Sequence, residues 1–140
     1  MNQLKPFLAG FLSTLVFHQG AAHLGYVMGV LPNAAYNLAP TAPWGVPSIL
    51  SIAFFGGIWG MIIWRIVRRF QGSMVWILSF ILGGFMLTSI FVTVVAPLKQ
   101  IEPSIMSFTI GFVLNGVWGL GNAFFIKLFK GDGQPLAEST

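Results

Sequence analysis

Residues 47–67 read PSILSIAFFGGIWGMIIWRIV, a run that carries no charge before Arg65 and gives way to Arg68-Arg69 and Gln71-Gly72. A helix needs about 20 apolar residues to span roughly 30 Å of hydrocarbon, and this stretch supplies them. Proline with serine at its start and glycine beyond its end are helix-boundary signals. Three flanking stretches have the same form. Residues 7–30 follow Lys5-Pro6 and precede Pro32. Residues 74–95 end at Pro97-Leu98-Lys99. Residues 105–128 open after Glu102-Pro103-Ser104 and stop at Lys130-Gly131-Asp132-Gly133. The expectation is an all-α polytopic membrane protein with four transmembrane helices, over 7–30, 49–67, 74–95 and 105–128. They form a single domain, 1–140, with an outer loop over 31–48 and a polar tail over 131–140.

Composition points the same way. Charged residues are 7% of the 140-residue chain and hydrophobic types 56%. A soluble domain carries about 25% charged residues, so this chain could not clothe a water-facing surface. Disorder, a collagen-like repeat and nucleic-acid binding are excluded on the same ground. The chain has no cysteine, which removes disulfide and thiolate chemistry.

Lys5, the apolar run to Phe17 and then Gly20-Ala21-Ala22 could be read as a cleaved secretory signal. Apolarity resumes after His23, however, and the segment has a counterpart deep in the chain, so the expectation is an uncleaved helix. With the N-terminus inside, Lys5, Arg65, Arg68, Arg69, Lys127 and Lys130 share the inner side and Lys99 alone lies outside. The positive-inside rule then places both termini in the cytoplasm. Tyr36 and Trp44 outside, and Trp64 and Trp76 inside, suit the interfaces.

The two halves of the chain resemble each other. Gly10-Phe11-Leu12-Ser13-Thr14 aligns with Gly84-Phe85-Met86-Leu87-Thr88, Pro47-Ser48-Ile49 with Pro103-Ser104-Ile105, and Gly57-Ile58-Trp59-Gly60 with Gly116-Val117-Trp118-Gly119. A two-span unit enters and leaves on one side, so its copies would be parallel repeats about an axis along the membrane normal. The first helix would then lie opposite the third, and the second opposite the fourth.

Small residues allow close helix approach in lipid. Gly10, Thr14, His18, Ala21 and Gly25 share a face of the first helix. Ala53, Gly56, Gly57 and Gly60 form a patch on the second, with Gly56 and Gly60 in GxxxG spacing. Gly83-Gly84 on the third helix, and Gly111 and Gly119 on the fourth, complete the packing set. These stripes read first as bundle core, and secondarily as a homodimer seam on the Gly56/Gly60 face.

No Asp or Glu lies within a span, which argues against an acidic proton relay. The polar candidates at membrane depth are His18, Gln19, Ser13, Thr14, Asn115 and Asn122. Hydrogen-bonding groups in hydrocarbon need partners. Matched depth suggests His18 or Gln19 facing Asn115, and Ser13 or Thr14 facing Asn122. Under the repeat, His18 corresponds to Val92 and Asn115 to Gly56, so these polar groups would make one site, not two copies. A register-setting structural role is the plainer reading. His18 and His23 diverge by about 140° on a regular helix, too far to share a metal, and no third histidine exists.

The outer loop is uncharged and holds Pro32, Pro40, Pro43, Asn33, Asn37, Tyr36 and Trp44. It would lie on the outer interface or fold back as a lid. Arg65, Arg68 and Arg69 share a helix face, explained by topology and by attraction to anionic lipid.

No catalytic constellation, phosphate loop or metal motif occurs, so no enzymatic activity, metal or cofactor is expected. Two readings remain. One is an accessory, assembly or structural component working through helix–helix contacts; the other is a homo-oligomeric transporter or channel for a small neutral or weakly polar solute. The expected partners are membrane lipids and a second copy or another membrane protein. The segments Phe17-His18-Gln19-Gly20, Asn37-Leu38-Ala39-Pro40 and Trp44-Gly45-Val46-Pro47 resemble small uncharacterised bacterial four-helix inner-membrane proteins. That resemblance implies a multi-pass location in a bacterial inner membrane and no activity.

Overall fold

The computed structural model describes residues 2–131; the expected polar tail over 131–140 lies, beyond Gly131, outside the described residues. Four long helices dominate: α1 over residues 4–27, α2 (Ser48–Val67), α3 (Ser73–Leu98) and α4 (Ile105–Lys130). In the α1–α2 connection, β1 (Pro40–Thr41) and β2 (Val46–Pro47) pair antiparallel, Thr41 opposite Val46. Helices α2, α3 and α4 are each long and apolar enough to cross a membrane. These three mark the chain as a membrane protein. Helix α1 has comparable length but is interrupted by His18, Gln19 and His23, and it falls short of the others in apolarity.

Helix limits follow local chemistry. α1 begins at Leu4, earlier than expected, because Pro6 sits in the first turn, where a missing N–H costs little. It ends at Val27, not Val30. The Val30 N–H bonds the Gly25 carbonyl, the Gly29 N–H bonds the Tyr26 carbonyl, and Gly29 takes φ +74°. This is a Schellman stop, which the apolar run concealed. At the head of α4 the Ser104 hydroxyl accepts from the Ser107 N–H at 3.0 Å, and the Ser107 hydroxyl accepts from the Ser104 N–H at 2.8 Å. The two bonds make a capping box. The head of α2 is capped by the loop, since Ser48 N–H and Ile49 N–H donate to the Ala39 and Asn37 carbonyls.

Three π turns interrupt the helices: Thr14–His18 in α1, and Gly83–Leu87 and Phe91–Val95 in α3. Each π turn slips the hydrogen-bond ladder by a residue. The second one in α3 lets that helix run through Pro97 to Leu98, past its expected end, because a proline ring needs room and lacks a donor.

α1 packs against α2 and α4, and α3 packs against α4; α2 meets α3 mainly near their short connection. Thus α1 lies diagonal to α3 and α2 to α4. The core lies nearer the end holding the helix α4 C-terminus, around Ala9, Ile63, Trp64, Val67, Trp118 and Ile126.

The α1·α2 and α3·α4 crossings are built alike. Gly10 lies on the backbone of Gly56 and Gly60, the Phe7 ring covers Gly57, and the Pro6 carbonyl covers Gly60. In the other pair Gly83 lies on the backbone of Asn115 and Gly119, the Phe80 ring covers Gly116, and the Ser79 carbonyl covers Gly119. The Gly56/Gly60 face is therefore the seat of α1 and is not free for a second copy. In this packing Gly10 is matched by Gly83, not Gly84. Further along, Thr14 on Gly56 is matched by Thr88 on Asn115. One extra residue separates Gly83 from Thr88 than separates Gly10 from Thr14, and the π turn Gly83–Leu87 absorbs it.

Candidate functional site

The polar side chains of the bundle fall into separate nodes. The tightest joins α1 to α4. The indole N–H of Trp118 donates to the Gly10 carbonyl and to the Thr14 hydroxyl, both at 3.0 Å. The Ser13 hydroxyl donates to the Trp118 carbonyl at 2.6 Å. Thr14 also donates to the Gly10 carbonyl one turn back. Ser13, Thr14 and Trp118 are all buried, so every polar group here is paired out of reach of lipid. Gly121 lets this seam close, because Ser13 and the Phe17 ring occupy the space a side chain would need.

A second node lies between α3 and α4, where the Asn115 amide donates to the Thr88 hydroxyl at 2.9 Å. Gly111 sits beside the same threonine, and Gly84 lies against Phe112.

The third node joins α1 to the outer loop. Gln19 accepts from the Tyr36 N–H at 2.9 Å, and the Tyr36 hydroxyl donates to the Leu15 carbonyl at 2.9 Å, inside the π turn. The Gln19 amide also lies 3.4 Å from His18 Nδ1, and the His23 ring faces Tyr36 at 6.4 Å between centroids. The loop thus folds back on α1. Its other side presents Leu38 and Trp44, which is 87% exposed.

Depth matching did not bring the expected pairs together. Neither His18 nor Gln19 bonds Asn115: Gln19 is turned to the loop and Asn115 to Thr88. Ser13 and Thr14 bond Trp118, not Asn122. Asn122 is fully buried, and neither its amide nitrogen nor its oxygen has a hydrogen-bond partner among the described residues; the same holds for the Ser79 hydroxyl. Similar depth is necessary for a contact, but the turn of each helix about its axis decides it. Trp118, Thr88 and Tyr36 carry contacts that the sequence reading had not assigned. The Gly-x-Trp-Gly pair was the one sequence signal that pointed to Trp118.

Between α2 and α3 an open cleft of about 260 Å³ is lined by Trp59, Phe85, Met86, Ser89, Ile90 and Thr93. By the crossing geometry above, Trp59 on α2 occupies the place that Trp118 holds on α4. Unlike Trp118, it is only partly buried, and its indole N–H has no partner among the described residues. The two seams differ in side-chain size. Where α4 has Gly121, α2 has Ile62; where α1 has Ser13, α3 has Met86 and Leu87.

At the end opposite the loop, Arg65, Arg68 and Arg69 are exposed. Among the described residues no three His, Asp or Glu side chains converge into a metal-sized group. Comparison with family models, curated proteins and solved structures finds no match to this chain.

Proposed function

We propose that the chain is a multi-pass protein of a bacterial inner membrane, with both termini cytoplasmic. It serves as an accessory or assembly component through helix–helix contacts. In this reading α1 crosses the membrane beside the other three helices, and the molecule is a duplicated two-helix unit. Support for the duplication is the shared build of the α1·α2 and α3·α4 crossings, residue against residue, with a π turn accounting for the single slip in register. Support for the orientation is the gathering of Lys5, Arg65, Arg68, Arg69, Lys127 and Lys130 at one end.

The observation that carries the function is the inequality of the two seams. One is sealed by Trp118; its counterpart around Trp59 stands open and apolar. In lipid, helices associate by packing and interhelical hydrogen bonds, and the open seam offers both a shaped surface and an indole donor. A partner helix with small residues fits it. Ser89→Phe would fill the cleft from within without removing any interhelical bond. The variant should fold and insert normally yet lose the complex that wild type forms when extracted from native membranes in mild detergent. A wild-type chain that emerges only as a monomer, or a complex that survives Ser89→Phe, would dismiss the proposal.

Asn122 and Ser79 favour a second reading, because their unpaired buried polar atoms serve none of the contacts described. A homo-oligomeric transporter or channel for a small neutral or weakly polar solute would use such groups. Solute flux into liposomes that is lost in Asn122→Leu at unchanged expression would establish it; liposomes that stay tight with wild type would exclude it.

A further inference from the structure

Six of the seven basic residues of this chain gather at one end of the bundle and divide into two kinds, and the division points to a ligand. Three lysines are spent on the bundle itself, all of them at the last turns of α4. Lys5 of α1 donates to the Phe129 carbonyl at 2.9 Å. Lys127 lies over the Trp76 ring of α3 at 5.0 Å, and Lys130 over the Trp64 ring of α2 at 4.9 Å. Each lysine thus joins one neighbouring helix to α4, two of them through the attraction of a cation for an aromatic face.

The three arginines are different. Arg65 in the last turn of α2, and Arg68 and Arg69 in the turn that follows it, are exposed, and none of them makes a hydrogen bond or ion pair through its side chain among the described residues. Arg68 keeps helical backbone, with its N–H on the Trp64 carbonyl, so it lies about one turn beyond Arg65, and Arg69 is its chain neighbour. Among the described residues the single carboxylate side chain is Glu102, at the opposite end of the molecule. Guanidinium is planar, always charged and suited to two-point recognition of phosphate. Trp76, half-buried under Lys127, is an aromatic of the kind that sits at headgroup level.

We propose that Arg65, Arg68 and Arg69 form a binding site for the phosphate of an anionic phospholipid, which holds this end of the bundle at the headgroup layer. The site is independent of what occupies the Trp59 cleft. Basic groups near an anionic surface contribute about 1 kcal/mol each, or roughly fivefold in affinity. Three together predict about 100-fold preference over a zwitterionic lipid.

The test uses the full chain, purified in mild detergent and titrated with phosphatidylglycerol or phosphatidylcholine. Bound lipid is counted by native mass spectrometry and stability is followed by thermal unfolding. Wild type should retain phosphatidylglycerol selectively and unfold at a higher temperature with it. The triple variant Arg65→Gln, Arg68→Gln, Arg69→Gln should lose both effects while unfolding in phosphatidylcholine as wild type does. Lys99→Gln, at the other end, should change neither. Equal retention of the two lipids by wild type, or undiminished phosphatidylglycerol binding by the triple variant, would overturn the proposal. So would equal protection by soluble glycerol phosphate, which would mean the site does not need a membrane lipid. If the triple variant also loses stability in phosphatidylcholine, Arg69→Lys and Arg68→Lys serve in its place. Charge retained with two-point geometry removed should weaken selectivity without loss of fold, and unaltered selectivity would overturn the proposal.

Discussion

Gln100 occupies a position that glycine usually fills. Its backbone takes φ +55° just past the end of α3, where the Ile101 N–H bonds the Ala96 carbonyl and the Gln100 N–H bonds the Pro97 carbonyl. A left-handed conformation costs a side-chain-bearing residue roughly 1–2 kcal/mol, part of which glycine returns as lost unfolded-state freedom. Gln100→Gly should therefore stabilise the protein by about 0.5–1 kcal/mol in thermal or denaturant unfolding in detergent. A loss of stability would mean the glutamine side chain makes a contribution that its contacts do not reveal. Tyr36, the other side-chain-bearing residue with positive φ, is the contrasting case. Its side chain offsets that strain with the hydroxyl bond to the Leu15 carbonyl and the ring contact with His23, both of which glycine would remove while keeping the N–H bond to Gln19. Residues of this kind were hidden in the sequence. Tyr36 read as an interfacial aromatic, and nothing in an apolar run announces that a carbonyl inside a π turn accepts its hydroxyl.

Among the helices, what could be read beforehand was length and spacing. Proline, serine and the charge runs marked where α2, α3 and α4 begin, because those residues act locally on the backbone. Ends governed by a Schellman turn, or by a π turn that shelters Pro97, were displaced by up to three residues, since neither leaves a trace in hydropathy. The glycine stripes were legible as packing surfaces, and the crossings they form give a quantitative prediction. A methyl group at Gly60 would meet the Pro6 carbonyl, and one at Gly119 the Ser79 carbonyl; backbone cannot step aside as a flexible side chain can. Overpacking of this sort costs roughly 1–3 kcal/mol. Gly60→Ala and Gly119→Ala should each lower stability by that order, and by similar amounts, because the two crossings have the same build. Gly20→Ala, where nothing lies within 4 Å of the new methyl, should cost nothing. Unequal penalties at Gly60 and Gly119 would weaken the case for a duplicated unit.

For the whole molecule, the open question is set by α1. Three helices are apolar enough to cross a membrane unaided, and an odd number of spans would put the chain's ends on opposite sides. Yet α1 buries Ser13, Thr14 and Gln19 against α4 and the loop. These three side chains are thus paired inside the protein, as a lipid-embedded helix requires. A helix whose polarity is spent on internal hydrogen bonds can lie in the bilayer despite a modest hydropathy. The sequence contains no cysteine, so single introduced thiols report topology without background. With α1 spanning, a membrane-impermeant thiol reagent applied to intact cells should label Asn33→Cys in the outer loop and Glu102→Cys, and should spare Gln3→Cys and Gln71→Cys until the membrane is opened. Labelling of Gln3→Cys from outside, with Gln71→Cys still protected, would put α1 on the surface and leave a three-span protein. The Lys5 contact to the Phe129 carbonyl could not then survive in the membrane-bound state, because it holds the start of α1 against the last turn of α4.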